Sequence, residues 1–368
     1  MEKPRFLPEI TYMRGLCMLG VIAIHVGSIA ISNPLANVQL ISVLEILSRF
    51  CVPAFFFLSA FGLFYHTPMT ADFSYKQFIK RRLKVVFVPY VVWSFFYVLY
   101  SAIGAHNYSG LWPHHFGVTL FFGNGFYHLY FMVILIWFYL LMPLWRWAVK
   151  AILKAPVAWM IGLWLIQTGI NFWSSYLAGH IVLSNSLAQY ALAQRLNYWI
   201  LHYFWVFLFG AVVAERYQVV TAWLWKYRLL VTVGFLISVG LMLGSYYYVM
   251  GQWHYTLLEA IYTVHQLSPM GMVYTAMGII FFLFFFQVTP LSSAMRAFWK
   301  GMGDTSYGMY LVHPFMLIIL TTVLAKMQML LTALVVVALY VCTICLSYFC
   351  TRLFQICPTW LRCFLIGR

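Results

Sequence analysis

Ten apolar stretches, each of roughly 20 residues, recur along the chain, and they limit its fold more than any other feature. A backbone inside lipid must satisfy its own N–H and C=O groups, so stretches of this length read as α-helices, whereas barrel strands would alternate with a shorter period. The stretches run from Ile10 to Ile31, Leu47 to Tyr65, Val85 to Ala105, Phe126 to Trp147, Ala155 to Phe172, Tyr198 to Ala214, Leu229 to Met250, Pro269 to Phe286, Ser306 to Leu324 and Leu330 to Leu353. An apolar fraction of 64 % with only 8 % charged residues excludes an ordinary soluble domain. The chain therefore reads as an all-α integral membrane protein, a bundle of about ten transmembrane helices.

A net charge of +15 would point to nucleic acid in a soluble chain, but its placement points to the bilayer. Lys3 and Arg5 precede the first stretch, and Lys76, Lys80, Arg81, Arg82 and Lys84 precede the third. Arg146, Lys150 and Lys154 follow the fourth, Arg216, Lys226 and Arg228 the sixth, Arg296 and Lys300 the eighth, and Arg362 and Arg368 the tenth. The alternate loops hold almost only Arg195 and Lys326. By the positive-inside rule, both termini are expected in the cytoplasm, the bilayer is the main partner, and no nucleic-acid partner is expected. The first stretch is of full spanning length and carries an internal Arg14, so it reads as a retained helix rather than a cleaved signal.

No linker or low-complexity tract divides the 368 residues, which read as a single membrane domain over 1–368. The seven cysteines fall in spans or the tail and make no extracellular disulfide framework. Cys342 and Cys345 have ligand-like spacing without a second ligand pair, so no metal is expected. The stretches around Ala105–Gly125, Trp173–Asn197 and Gly251–Ser268, on the outer side, are rich in aromatic residues, His, Asn and Gln. Two readings stand: an interfacial aromatic belt, or a polar surface that holds sugars.

Arg14 and His25 are separated by ten uncharged residues within the first stretch. Eleven helical positions return to within about 20° of one face, about 16 Å along the axis. Arg14, Met18, Val21, His25, Ser28 and Ser32 form that stripe, with Arg14 near the inner end and His25 in the outer half. Ionisable groups at membrane depth face a bundle interior or water, so the stripe argues for an internal cavity. The plainer alternatives are a snorkelling Arg14 and a hydrogen-bonded core His25.

The opening "YMRGLCMLGVIAIH" resembles the signature of the acyltransferase family 3 membrane proteins, in which an Arg, ten residues and a His follow an acidic-x-Leu-Arg-Gly type start. "RFCVPAFFFLSAFGLF" is similar to the family's second-span pattern, with Ser59 and Phe61 in place and Ala60 a departure from Ser-Gly-Phe. "FIKRRLKVVFVPY" resembles its basic run, "FYHLYFMVILIWFYLLMP" its fourth span, and "GDTSYGMYLVHPF" its Gly-x-x-Ser-Tyr-x-x-Tyr-Leu-x-His. A second departure is Thr11, which stands where the family commonly has an acidic residue and leaves Glu9 as the nearest carboxylate. Among branches, the chain is most similar to small bacterial members associated with exopolysaccharide or poly-N-acetylglucosamine synthesis, without an appended extracytoplasmic domain.

The resemblance implies a multi-pass protein of the bacterial plasma membrane that moves an acyl group, acetyl or succinyl, from cytoplasmic acyl-CoA to a hydroxyl of an extracytoplasmic glycan. It implies His25 as general base and Arg14 as a donor-binding group. Lys80, Arg81, Arg82 and Lys84 would grip nucleotide phosphates, although topology-fixing charge explains them equally well. Glu45 and Arg49, four apart, form a structural ion pair, or Glu45 orients His25 or the acceptor with Arg49 beside the substrate. Ser306, Tyr310 and His313 share a helical face, and with Ser59 the resemblance puts them on the substrate cavity, against the alternative of inter-helix hydrogen bonding. His128 and Tyr139 repeat the eleven-residue spacing on the fourth span, with His128 at the outer mouth. Glu259 and His265 lie in an outer loop where acceptor contact is open. The rival functions are a glycan transporter or flippase and a non-catalytic subunit of a polysaccharide synthase; a transporter predicts internal repeats, and none is evident.

Overall fold

A computed structural model describes residues 6–33 and 35–367. Lys3, Arg5 and Arg368, used above for topology, lie outside the described residues. Every regular element among the described residues is helical. Seven helical stretches, Pro8–Ala30, Val38–His66, Tyr75–Ala105, Arg228–Gln252, Pro269–Val288, Ser293–Lys326 and Ala333–Ile356, are long and apolar enough to span a bilayer. Two further pairs, Tyr130–Leu140 with Met142–Ile152 and Phe204–Glu215 with Tyr217–Lys226, are bent by 70° and 93°, which makes nine spans if each pair is one.

The fifth expected span accounts for the difference from ten. Its helix, Pro156–Phe172, has 17 residues, about 26 Å against a hydrocarbon core of about 30 Å. It continues into a π turn, Trp173–Leu177. The second expected span begins earlier than its apolar run: α2 (Val38–Ser48) follows α1 (Pro8–Ala30) and leads into α3 (Cys51–His66). The side chain of Asn37 accepts a hydrogen bond from the Leu40 N–H, 3.1 Å, and starts α2 before the hydrophobic stretch does. The basic run before the third span is likewise helical, Tyr75–Arg82, and joins Val88–Ala105 through a π turn, Leu83–Phe87, ahead of Pro89.

The chain forms two compact units. The first, Met1–Pro68 with Phe209–Arg352, holds α1 to α3 and the later spans; the second is Met69–Leu208 with Leu353–Arg368. In the first unit α1 packs along the Ser293–Lys326 helix. Gly303 makes that approach possible, since a β-carbon there would stand 2.0 Å from the Thr11 carbonyl oxygen. Gly15 faces Met302 and the Trp299 carbonyl in the same seam. Tyr340 donates to the Leu19 carbonyl at 3.1 Å, tying the Ala333–Ile356 helix to α1. Small residues and side chain to backbone bonds of this kind are how helices associate where lipid removes the hydrophobic drive. The second unit has a buried aromatic centre in which Phe138 and Phe207 stack at 4.3 Å.

Candidate active site

In the first unit, α1 presents its polar stripe to an interior for only part of its length. Met18 and Val21 are buried, and Arg14 and His25 are half-buried beside them. Ser28 and Ser32 are exposed, and the Ser28 hydroxyl donates to its own helix at the Ile24 carbonyl, 2.8 Å. Arg14 lies beside α3, where a β-carbon on Gly62 would stand 3.5 Å from its Nη2. Ser59 is half-buried one turn earlier on α3, and Ala60, the departure from the family pattern, is fully buried.

His25 meets the Ser293–Lys326 helix. Its ring lies 5.3 Å from that of His313, centroid to centroid, with the planes inclined by 27°. His313 is fully buried, and its Nδ1 lies 3.0 Å from the Met309 carbonyl oxygen and 2.9 Å from that of Tyr310. The Tyr310 ring is 6.2 Å away. The Ser306 hydroxyl turns back to its own helix, donating to the Gly303 carbonyl at 2.8 Å. Two helices far apart in sequence thus bring His25, His313 and Tyr310 together.

Glu45 sits elsewhere. A β-carbon on Gly27 would stand 3.4 Å from Glu45 Oε2, whereas His25, two residues earlier and so about 200° around the helix, faces His313. The Glu45 Oε1 accepts from Arg49 Nη2 at 2.7 Å with both side chains largely buried, while its Oε2 has no hydrogen-bond partner among the described residues. Of the two readings of this pair, the ion pair is the geometry observed.

Glu9, the carboxylate nearest to Arg14 in sequence, is buried and accepts a hydrogen bond from the Tyr217 hydroxyl, which itself accepts from Gln287 Nε2 at 3.1 Å. Sequence reasoning missed Tyr217 and Gln287; both stand at span ends, where polar residues are expected and carry no signal. Phe61 and Tyr65 of α3 edge the Tyr217 ring.

In the second unit, Lys80, Arg81 and Lys84 are exposed. Arg82 is half-buried, with its guanidinium carbon 5.5 Å from the Phe78 ring centroid and 5.6 Å from that of Tyr139. Two candidates named for separate reasons, Arg82 and Tyr139, therefore form one cation–π contact. His128 is enclosed rather than at an open mouth: it is 2 % exposed, among Tyr97, Phe126 and Tyr127. A second missed cluster surrounds Arg195, which donates to the Ser174 carbonyl at 2.5 and 3.0 Å and to the Leu192 carbonyl at 2.9 Å. His202 Nε2 lies 2.9 Å from the Ser174 hydroxyl. This buried network holds the π turn after Pro156–Phe172, and an arginine in a connection otherwise poor in basic residues was its sequence trace.

Glu259, expected above in an outer loop, is a cap. Its Oε2 accepts from the Thr256 N–H at 2.8 Å and the Thr256 hydroxyl at 2.7 Å, and these bonds hold its carboxyl below the ordinary carboxylate value. Among the described residues no three His, Cys, Asp or Glu side chains gather as metal ligands would.

A multi-helix membrane bundle with an arginine and a histidine on one interior stripe and a second histidine against the first defines an integral membrane protein with a buried polar site. The model of one family, described as an acyltransferase domain, matches residues 7–352, and the chain belongs to that family, acyltransferase family 3. No curated protein and no solved structure matches the chain. The family makes it a membrane acyltransferase.

Proposed function

We propose that the protein transfers an acyl group from acyl-CoA on the cytoplasmic side to a hydroxyl of a glycan outside the membrane, as the small exopolysaccharide-associated members of the family are read to do. The observation that carries this is the His25 ring packed on His313 at a buried helix seam, about 16 Å up the same stripe from Arg14. His25 is the general base. The acceptor oxygen attacks the thioester carbonyl, its proton passes to His25, the new C–O bond forms as the C–S bond breaks, and the proton returns to the CoA thiolate. Arg14, nearer the helix start, holds the donor's amide or phosphate oxygens through its forked N–H groups. Acetyl and succinyl are the acyl groups this reading favours, and a polysaccharide synthase is the partner it suggests.

Purified protein given radiolabelled acetyl- or succinyl-CoA and poly-N-acetylglucosamine is expected to label the glycan. His25→Ala should lower the rate by about 10²–10⁴ while the protein elutes and melts as the parent does. Label transfer at the parent rate by that variant would remove His25 from the chemistry. Glycan movement across vesicles without use of acyl-CoA would favour a carrier instead.

A further inference from the structure

Pro314 interrupts the hydrogen-bond ladder of the Ser293–Lys326 helix directly after His313. In an α-helix the N–H of residue i bonds to the carbonyl of i−4, so a proline at 314 leaves the carbonyl of Tyr310 without its main-chain donor. A buried carbonyl in that state costs free energy unless another donor reaches it. The donor is the neighbouring side chain: His313 Nδ1 lies 2.9 Å from the Tyr310 oxygen and 3.0 Å from that of Met309. A carbonyl oxygen only accepts, so Nδ1 must carry the proton. A neutral imidazole with its proton on Nδ1 has its lone pair on Nε2.

We infer that Pro314 and His313 form a tautomer lock, which keeps His313 as the Nδ1–H imidazole so that a neutral ring with a basic Nε2 packs against His25 and holds it in one orientation. His313 is then a positioning residue rather than a catalytic one, and its role rests on the reading of His25 as base. The ring is over-determined: two carbonyls fix one edge, the His25 ring lies 5.3 Å away, and the side chain is fully buried. Without the lock the ring gains its commoner Nε2–H form, and the group beside His25 changes from acceptor to donor. The chemical logic is that of a metal-ligating histidine, in which the bond made by one ring nitrogen sets the state of the other.

The test is 15N NMR of the full-length protein in lipid nanodiscs with 15N-labelled histidine, the His313 signals being identified by their loss in His313→Asn. A protonated Nδ1 and an unprotonated Nε2 are expected, and an Nε2–H pattern would overturn the lock whatever His25 does. Pro314→Ala returns an N–H to the Tyr310 carbonyl and leaves the Met309 carbonyl as the main acceptor for Nδ1, so the His313 signals should shift part of the way toward the Nε2–H form. In the same variant kcat should fall roughly ten- to hundredfold with KM for the acyl donor unchanged. Unchanged signals and unchanged kcat in Pro314→Ala would also overturn it. If that variant does not fold, His313→Asn serves: its amide still donates to the carbonyl but offers no ring, so a normal melting profile, lowered kcat and unchanged KM are expected, and parent kcat would count against the positioning role. Failure of the base assignment reads separately, as full transfer by His25→Ala with the NMR pattern intact.

Discussion

Arg49 and Glu45 neutralise each other at 2.7 Å inside the first unit, with Glu45 only 3 % exposed. Truncating Arg49 to Ala leaves a buried carboxylate with no cation, a loss of about 3–5 kcal/mol in comparable pairs, whereas replacing both partners with apolar residues of similar volume is often neutral. Arg49→Ala is therefore expected to lower the thermal midpoint in detergent markedly, and the double variant Glu45→Leu with Arg49→Met to recover it. A double variant as unstable as the single would mean that the pair does more than balance charge. The i,i+4 spacing made this pair legible in the sequence. That Glu45 lies across α1 from His25 was not, because helical spacing orders residues along one helix and says nothing of which neighbour each face meets.

At the scale of elements, the seam between α1 and the Ser293–Lys326 helix positions the site, and Gly303 sets how closely they approach. Gly303→Ala would put a methyl 2.0 Å from the Thr11 carbonyl oxygen, a backbone atom that cannot swing aside. The helices must separate, and the His25 and His313 rings ride on them. We expect Gly303→Ala to lose most transfer activity along with thermal stability, whereas Gly104→Ala, where nothing lies within 4 Å, should change neither. Parent-like activity in Gly303→Ala would mean that the seam tolerates separation. The family pattern's departure at residue 11 has a physical setting here: the backbone of Thr11 lies against Gly303, and Glu9 is occupied by Tyr217. The positions of the seven long apolar helices and of the two bent pairs were legible from hydropathy, whereas the shortfall of the Pro156–Phe172 helix was not. The ends of the spans were less legible, because Asn37 and the basic run at Tyr75–Arg82 extend helices beyond the apolar stretches that announce them.

For the whole molecule, the alternation of basic-rich and basic-poor connections is the sequence feature from which sides are expected. In sealed vesicles with the N-terminus on the inside, acyl-CoA supplied in the lumen is expected to label glycan added outside, and acyl-CoA supplied only outside is expected to leave it unlabelled. Equal labelling from either side would reject transfer across the membrane by this protein. The bilayer also explains the exposed apolar surface of the Arg228–Gln252 and Ala333–Ile356 helices, where Leu229, Leu236, Leu334 and Val337 stand outward. Such faces match lipid and need no protein partner.

Length and apolarity by themselves determined that this chain is a helical membrane protein, because lipid leaves the backbone no other solution at these lengths. The spacing of Arg14 and His25 determined that they share a stripe, because one helix has one period. Only the tertiary structure decided what that stripe meets: His313 rather than Glu45 beside His25, Tyr217 on Glu9, Arg82 on Tyr139. Each of these contacts joins different helices, or different faces of one, and depends on how closely backbones approach at residues such as Gly303. No local period encodes that distance.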